Sequence, residues 1–424
     1  MTISTKRMVA VAAAATALTV LTACSGGDDT SSTDSSTGTS TGGGGTTLTD
    51  IAVWDPYPQH DESSDWAKYL QSCAPEGTTV TRTSAATADL LNNLTSAVKE
   101  GNAPDVVLLD NPAVPDAAVS GLLASAADVG MDTAGFDANL AGPGTVDGVT
   151  YGVPIGANTL GLYYNADILE ASGVDPLTIT DWDSLNDALA AVTAAGHKGI
   201  TFSGIAGEEG VFQALPWFWG AGAQLDDLGS DQAVEAGQLL SDWIGQGYAP
   251  KSALTDNQSA SWDLFLTGEY AFAENGSWFA KAASELTDFS AVAMPLPGHV
   301  GGAAPAPTGG EFVLAPLQKK DAEAHYANAS KIIDCLVGAD NQVKTADALG
   351  YFAANKDLRA AQVAADPIWT PWATSIESAQ GRTTDLGPDY TAASAALSTA
   401  LQASLNAAGD ADAVRSAFEQ AAQG

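Results

Sequence analysis

The chain has 424 residues, of which 45% are hydrophobic and 16% are charged, a composition that argues for a globular protein and against a disordered one. Its formal charge of −35 repels nucleic acid and anionic lipid headgroups, so neither is an expected partner. This length provides enough core for two or three domains.

The N-terminal segment, residues 1–23, has the pattern of an export signal. A basic pair precedes an apolar stretch, residues 8–21, that is too short to span a bilayer as a helix. The run Leu21-Thr22-Ala23-Cys24 resembles the lipobox of bacterial lipoproteins. This resemblance implies that Cys24 is lipidated and that the protein is anchored at the extracytoplasmic face of the cell membrane. The alternative is a buried N-terminal helix that contains a cysteine by chance.

Residues 24–47 are rich in Ser, Thr and Gly and are predicted to be a flexible tether. From Leu48 onward, predicted strands alternate with predicted helices. The apolar run between Asp105 and Asp110 is typical of a strand buried on both faces. Such alternation predicts an α/β fold with parallel strands. The proline- and glycine-rich residues 295–310 are an expected crossing between two lobes.

Two cysteines, Cys73 and Cys335, remain if Cys24 carries lipid. An exported protein folds where disulfides are stable, so these two residues could form a bridge. The alternative is a pair of buried free thiols that pack as small apolar groups.

Six local motifs occur in the order found in one protein family. They are Gly101-Asn102-Ala103-Pro104-Asp105-Val106-Val107, Tyr151-Gly152-Val153-Pro154-Ile155 with Tyr164-Asn165, Thr180-Asp181-Trp182-Asp183-Ser184-Leu185, Phe265-Leu266-Thr267-Gly268-Glu269 with Asn275-Gly276-Ser277-Trp278, Met294-Pro295-Leu296-Pro297-Gly298, and Thr308-Gly309-Gly310. The chain resembles the maltose-binding-protein-like sugar-binding proteins of ABC importers. It departs from the family's frequent residues at Glu269, Ala273 and Ser277.

The resemblance implies the two-lobed α/β fold of type II periplasmic binding proteins. Each lobe would be a mainly parallel sheet flanked by helices, with the ligand cleft at the hinge. The implied bounds are 48–156 and 305–355 for the N-terminal lobe, and 160–300 and 360–424 for the C-terminal lobe. Crossings are expected near residues 155–160, 299–308 and 352–360.

A sugar presents flat C–H faces and many hydroxyls, so aromatic rings and paired hydrogen-bonding groups suit it. Trp278 is the strongest candidate, because the family motif that it resembles places an aromatic ring under the sugar. Of Trp217 and Trp219, two positions apart on a helix, at most one can face the cleft, and we favour Trp219. The candidate ligand residues are Trp54, Asp55, Asp110, Asn111, Asn158, Glu208, Glu209, Gln213, Trp219, Trp278, Gly310, Glu311 and Arg382.

Several candidates have a purely structural alternative. Asp55 could form the turn before Pro56, and Asp110 with Asn111 could cap the next segment. Glu208 and Glu209 could complement a helix dipole. Arg382, one of few cations, could fix a carboxylate instead of contacting the ligand. Both interpretations, structural and ligand-binding, therefore apply to six residues: Asp55, Asp110, Asn111, Glu208, Glu209 and Arg382.

We predict a monomeric, lipid-anchored binding protein that delivers a di- or trisaccharide to an ABC permease, with no cofactor and no metal. The four histidines, at positions 60, 197, 299 and 325, lack metal-ligand spacing, and catalytic motifs are not found in the sequence. Three alternatives remain: a binding protein for another polyol or glycerol-type solute, a lipid-anchored glycoside hydrolase that uses Asp55 and Asp110, and a tethered adhesion protein that grips a polymeric glycan.

Overall fold

The computed structural model of the protein describes residues 48–377, 379–383 and 386–423. The predicted signal peptide, Cys24 and the tether lie outside the described residues. Within these ranges, no helix is both long and apolar enough to cross a membrane.

The strands and helices follow one another in the alternation that the sequence predicts. The strands are β1 (Asp50–Asp55), β2 (Thr79–Ser84), β3 (Val106–Asp110), β4 (Thr145–Val146), β5 (Val149–Thr150), β6 (Gly152–Pro154), β7 (Leu160–Asn165), β8 (Lys198–Thr201), β9 (Tyr270–Gly276), β10 (Ala291–Met294) and β11 (Glu311–Leu314). The α-helices are α1 (Asp65–Ser72), α2 (Thr87–Glu100), α3 (Ala113–Val119), α4 (Ala126–Val129), α5 (Ala138–Ala141), α6 (Ala166–Ala171), α7 (Trp182–Ala194), α8 (Glu208–Gly220), α9 (Asp231–Gly245), α10 (Gln258–Leu266), α11 (Ala280–Ser284), α12 (Ala322–Val337), α13 (Gln342–Leu349), α14 (Lys356–Ala365), α15 (Thr370–Glu377), α16 (Tyr390–Ala407) and α17 (Ala411–Ala421).

The N-terminal lobe is built on a sheet with the strand order β2-β1-β3-β11-β6. Successive residues of β3 alternate between two apolar clusters: Val106 and Leu108 pack on one face of the sheet, and Val107 and Leu109 pack on the other. This confirms the predicted strand that is buried on both faces.

The C-terminal lobe is built on a sheet with the strand order β10-β7-β9-β8. Its largest apolar cluster joins β7, β8 and β9 to helices α7, α8, α9, α16 and α17. The α/β architecture is thus as predicted, with helices packed on both sheets.

The sheets are mixed, whereas the prediction was mainly parallel strands. β1 runs parallel to β2 and β3, but β11 runs antiparallel to β3, and β7 runs antiparallel to β9 and β10. The reason is where each strand starts. β11 and β7 begin at the hinge, beside the residues at which β3 and β9 end, so they must run in the opposite direction.

The segments that cross between the lobes are joined to one another by main-chain hydrogen bonds. Ala157 and Phe352 exchange two bonds of 2.8 Å, and Asn158 and Gly309 exchange bonds of 3.2 and 2.9 Å. Gly309 is required here, because a Cβ atom would overlap the side chain of Asn158. Gly310 has a φ of 108°, which other residues rarely adopt.

Cys73 and Cys335 form a disulfide with a Cα–Cα distance of 5.6 Å. The bond joins the C-terminal end of α1 to α12, and both helices pack on the N-terminal lobe. The disulfide therefore closes a loop that contains most of the chain, yet it links two neighbours within one lobe.

Candidate functional site

Polar and aromatic residues gather at the hinge ends of both sheets. Asp110 ends β3 and pairs directly with Glu311, the first residue of β11. In the C-terminal lobe, β9 ends two residues before Trp278, and α8 begins at Glu208. Ligand-binding clefts in open α/β sheets lie at such strand ends, which makes the hinge region the candidate site.

Arg382, itself 2% exposed in its side chain, connects the two lobes through ion pairs with two partly exposed carboxylates. Its guanidinium donates to both oxygens of Asp110, at 2.5 and 3.0 Å, and to Glu208 Oε1 at 2.7 Å. Tyr390 and Ser394 on α16 also donate to Glu208. We call Asp110, Glu208, Arg382, Tyr390 and Ser394 the seam cluster. Because Asp110 and Glu208 belong to different lobes, Arg382 bridges the two lobes.

Two carboxylates face one guanidinium in the seam cluster. Burial lowers the pKa of Arg382, but Asp110 and Glu208 outweigh this and raise it, so the guanidinium stays charged. Burial raises the pKa of Glu208, an effect that the charge of Arg382 opposes and that of Asp110 reinforces. With both carboxylates ionised, the seam cluster carries one net negative charge.

Glu311 lies beside the seam cluster, at the hinge end of the N-terminal sheet, where it pairs with Asp110. Its Oε2 accepts hydrogen bonds from the hydroxyls of Tyr57, at 2.6 Å, and Tyr351, at 3.0 Å. Burial and the nearby charge of Asp110 raise the pKa of Glu311 to about 7. This carboxyl therefore changes its charge near neutral pH.

Two aromatic rings lie between the lobes. Trp278 is half-buried and packs against the main apolar clusters of both lobes. The ring of Phe212 lies 6.4 Å from that of Trp278, centroid to centroid, and 4.8 Å from the guanidinium carbon of Arg382. Trp278 thus contacts the apolar core of each lobe.

Four other candidates lie around this region, largely through their main-chain positions. Asn158 and Gly310 belong to the crossings, and the side chain of Asn111 donates to Thr308 O at 3.2 Å. Glu209 accepts from the main-chain amide of Gln258 at 2.6 Å and thereby holds the start of α10.

The structure places Asp55 in the interior of the N-terminal lobe. Both of its oxygens bind Arg82, and they also accept from Trp66 Nε1 and from the amide of Tyr57. No part of Asp55 is exposed. Its neighbour Trp54 is half-buried and packs against the apolar cluster around α2 and α3. Asp55 therefore supports the loop after β1 rather than facing the cleft.

Gln213 and Trp219 lie in the interior of the C-terminal lobe. Gln213 is 1% exposed and accepts from the amide of Ser203, while Trp219 is 7% exposed and belongs to the core cluster. Both residues were predicted to contact the ligand. Apolar residues cover most of α8, so the helix is buried nearly all round.

Sequence reasoning missed Tyr57, Phe212, Tyr351 and Tyr390. Tyr57 follows Asp55 in the loop after β1, so its place after a strand end could have marked it. Tyr351 and Tyr390 lie in segments with no motif of their own. Only the folded chain shows that they reach Glu311 and Glu208.

Over residues 67–371, the chain matches a family described as bacterial extracellular solute-binding protein. The chain belongs to this family. Membership confirms the prediction of a binding protein rather than an enzyme, and it places the protein outside the cytoplasm. It also agrees with the resemblance seen in the local motifs.

The maltodextrin-binding protein MdxE of Bacillus subtilis is 29% identical over 237 residues, which cover 53% of this chain and 55% of MdxE. The chain spans about half the length of the curated relatives it matches. The GacH receptor of Streptomyces glaucescens, solved unliganded and with acarbose, shares the fold with a TM-score of 0.75 at 20% identity, covering 88% of this chain and 97% of GacH. UgpB of Mycobacterium tuberculosis, solved with glycerophosphocholine, has a TM-score of 0.74 at 21% identity, covering 89% of this chain and 98% of UgpB. These likenesses support the type II periplasmic-binding-protein fold.

Proposed function

We propose that this protein is the lipid-anchored substrate-binding component of an ABC importer. It captures a carbohydrate, a di- or trisaccharide, in the cleft between its lobes and delivers it to the permease as a monomer. The lobes comprise residues 48–156 with 305–355, and 160–300 with 360–424. Cys24 carries the lipid, and residues 24–47 leave the lobes free to dock.

The observation that carries this proposal is the meeting of both lobes at Arg382. A ligand selects the closed form only through contacts with both lobes. Asp110 and Glu311 supply acceptors from one lobe, and Glu208 supplies them from the other. Trp278 adds an apolar ring that suits the C–H face of a sugar.

The charges favour a neutral ligand over a phosphate ester. Arg382 is a buried cation at the seam, and its guanidinium already binds two carboxylates. A phosphate group prefers guanidinium or ammonium donors that are not already paired with carboxylates. It would also be repelled by the net negative charge of the seam cluster. A sugar carries no charge, so the negative charge of the seam cluster does not repel it.

A second candidate ligand is a glycerol-type solute with a quaternary ammonium group. Trp278 and Phe212 lie beside a cluster with excess negative charge, and aromatic rings bind such cations by their faces. The likeness to UgpB supports the same candidate. The phosphate of such a solute would still meet the negative charge of the seam cluster.

Isothermal titration calorimetry of the purified protein against di- and trisaccharides, with glycerophosphocholine in the same panel, tests the proposal. We expect saturable binding of at least one saccharide at one site, with no product detected by chromatography. Binding of glycerophosphocholine alone would overturn the sugar assignment in favour of the second candidate. Hydrolysis of a saccharide would overturn both.

The anchor is tested separately by Cys24→Ala in cells. We expect the variant to appear in the culture medium, whereas the parent protein fractionates with the membrane. Retention of the variant in the membrane fraction would contradict the lipid anchor. Ligand affinity is expected to be the same for both forms, because the tether lies outside the lobes.

A further inference from the structure

A small enclosed cavity lies inside the C-terminal lobe, away from the seam cluster. It has room of about 10 Å³ for the centre of a water molecule. Its walls come from the segment after β8, from α8, from β9 and from α16. Most of the lining is apolar: Phe202, Val211, Ala214, Leu240, Leu401 and Leu405.

Four polar side chains line this cavity: Ser203, Gln213, Glu274 and Ser398. Ser398 Oγ accepts a hydrogen bond from the main-chain amide of Gly207 at 2.8 Å, and the other three residues are 0–1% exposed. Ser203 Oγ, Gln213 Nε2 and Glu274 Oε1 make no hydrogen bond to any described residue. A buried polar atom without a partner costs about 1–3 kcal/mol, so three around one cavity require an explanation.

The other polar atoms of two of these side chains are held in place. Gln213 Oε1 accepts from the main-chain amide of Ser203 at 3.2 Å. Glu274 Oε2 accepts from Trp217 Nε1 at 2.9 Å. These bonds fix the amide of Gln213 with its Nε2 as the unpartnered donor, and they leave one oxygen of Glu274 unpartnered.

We propose that this cavity is a binding site for one ordered water molecule, which bonds to Ser203 Oγ, Gln213 Nε2 and Glu274 Oε1. The cavity has room for the centre of a water molecule, and buried waters make about three hydrogen bonds. The chemistry fits as well. Gln213 donates to the water oxygen, while the hydroxyl and the carboxyl can each complete its remaining bonds.

The donor set excludes a metal ion at this place. The N–H groups of Gln213 would point at the cation, and Glu274 would be its only carboxylate. Among the described residues, no group of three or more His, Cys, Asp or Glu side chains could hold a metal.

The water joins three elements, of which β8 and β9 are already paired as neighbouring strands of the C-terminal sheet. Helix α8 packs on these strands through apolar contacts and the two bonds above. Ser203 follows β8, Gln213 lies on α8 and Glu274 lies on β9. Since α8 begins with Glu208, the water helps to set the position of the seam cluster on the C-terminal sheet. This inference is independent of which solute the cleft binds.

A high-resolution crystal structure of the folded chain tests the site directly. We expect one density peak in the cavity, about 2.7–3.2 Å from each of the three atoms. A cavity without density, a peak coordinated as an ion, or the three side chains bonded directly to one another would overturn the proposal.

Ser203→Ala and Gln213→Met test the coupling through the water. Each single variant should lower the midpoint of thermal unfolding, and the double variant should lose less than the sum, because either change alone removes part of the same water site. Ser203→Ala keeps the main-chain amide that binds Gln213, so the direct bond is unaffected by it. Additive losses would contradict a shared water.

Gln362→Met is the matched control. Gln362 is also a buried glutamine, but its amide binds Asp347, Tyr351 and Ala353 directly and does not line the cavity. Its loss should add to that of Ser203→Ala. Non-additivity in this pair would show that the coupling does not arise at the cavity and would overturn the proposal.

Discussion

Two buried arginines each bind an aspartate through two nitrogen–oxygen contacts, yet they connect different parts of the molecule. Arg82 and Asp55 lie on the neighbouring strands β2 and β1 of one sheet. Arg382 joins Asp110 in the N-terminal lobe to Glu208 in the C-terminal lobe. The first pair persists while the lobe stays folded, whereas the second must break when the lobes separate. Similar local chemistry thus serves stability in one place and closure in the other.

The largest expected effect comes from breaking the pair inside the lobe. Arg82→Ala leaves Asp55 fully buried without its cation, and we expect the free energy of unfolding to fall by about 3–5 kcal/mol. Urea denaturation followed by tryptophan fluorescence measures the loss. A loss below that of Arg382→Gln would contradict the assignment of Arg82 to folding stability.

Glu311 shares a feature with each arginine site: it belongs to one lobe, as Arg82 does, and it lies next to the seam cluster. The folded protein keeps its proton up to about pH 7, whereas the unfolded chain releases it near the ordinary value of 4.5. The folded state therefore loses stability as the pH rises through this interval. Glu311→Gln should remove about 3 kcal/mol of that loss, measured as the pH dependence of unfolding.

The control for Glu311 is its hydrogen-bonding partner. Tyr57→Phe keeps the carboxyl and removes a donor that lowers its pKa, so the pH dependence should remain and extend to higher pH. If the Gln variant and the parent show the same pH dependence, Glu311 does not titrate in this interval.

Trp278→Ala should act on ligand binding more than on folding. We expect the affinity for the bound saccharide to fall by about 1–3 kcal/mol, because an aromatic contact at the seam is lost. Phe289→Ala is the control, since its ring lies 5.4 Å from that of Phe265 within the C-terminal lobe. Calorimetry that finds equal affinity for the parent protein and the Trp278 variant would remove Trp278 from the site.

Arg382→Gln should have the smallest effect on folding stability, about 1 kcal/mol. Asp110 and Glu208 are 17% and 29% exposed in their side chains, so water can reach both once the lobes part. The expected change is in shape: the unliganded variant should have a larger radius of gyration by small-angle X-ray scattering. An unchanged radius would show that the ion pairs do not hold the lobes together.

Local patterns predicted the strands and helices well, since each depends on nearby residues. Ser64 accepts the capping bond of α1, and Asp181 forms a capping box with Ser184 at α7. The mixed strand directions were not predicted. They depend on the side from which the chain re-enters a sheet, and no single segment carries that information.

The contacts within the candidate site were not predicted, for the same reason. Asp110, Glu208 and Arg382 were chosen one by one from strand ends, helix starts and the scarcity of cations. That they share one ion-pair network is a property of the folded chain. Asp55 shows the opposite outcome: it follows a strand end as Asp110 does, but Arg82 on the next strand occupies its oxygens.

The hydrogen bonds between the crossings have a mechanical consequence. Ala157 is bound to Phe352, Asn158 to Gly309, and Thr308 to Gln380, so these segments form one narrow ribbon. Such a ribbon cannot let one segment bend while its neighbours stay fixed. Rotation of the lobes must therefore occur about a single shared axis, with the change in torsion angles spread over all the segments at once.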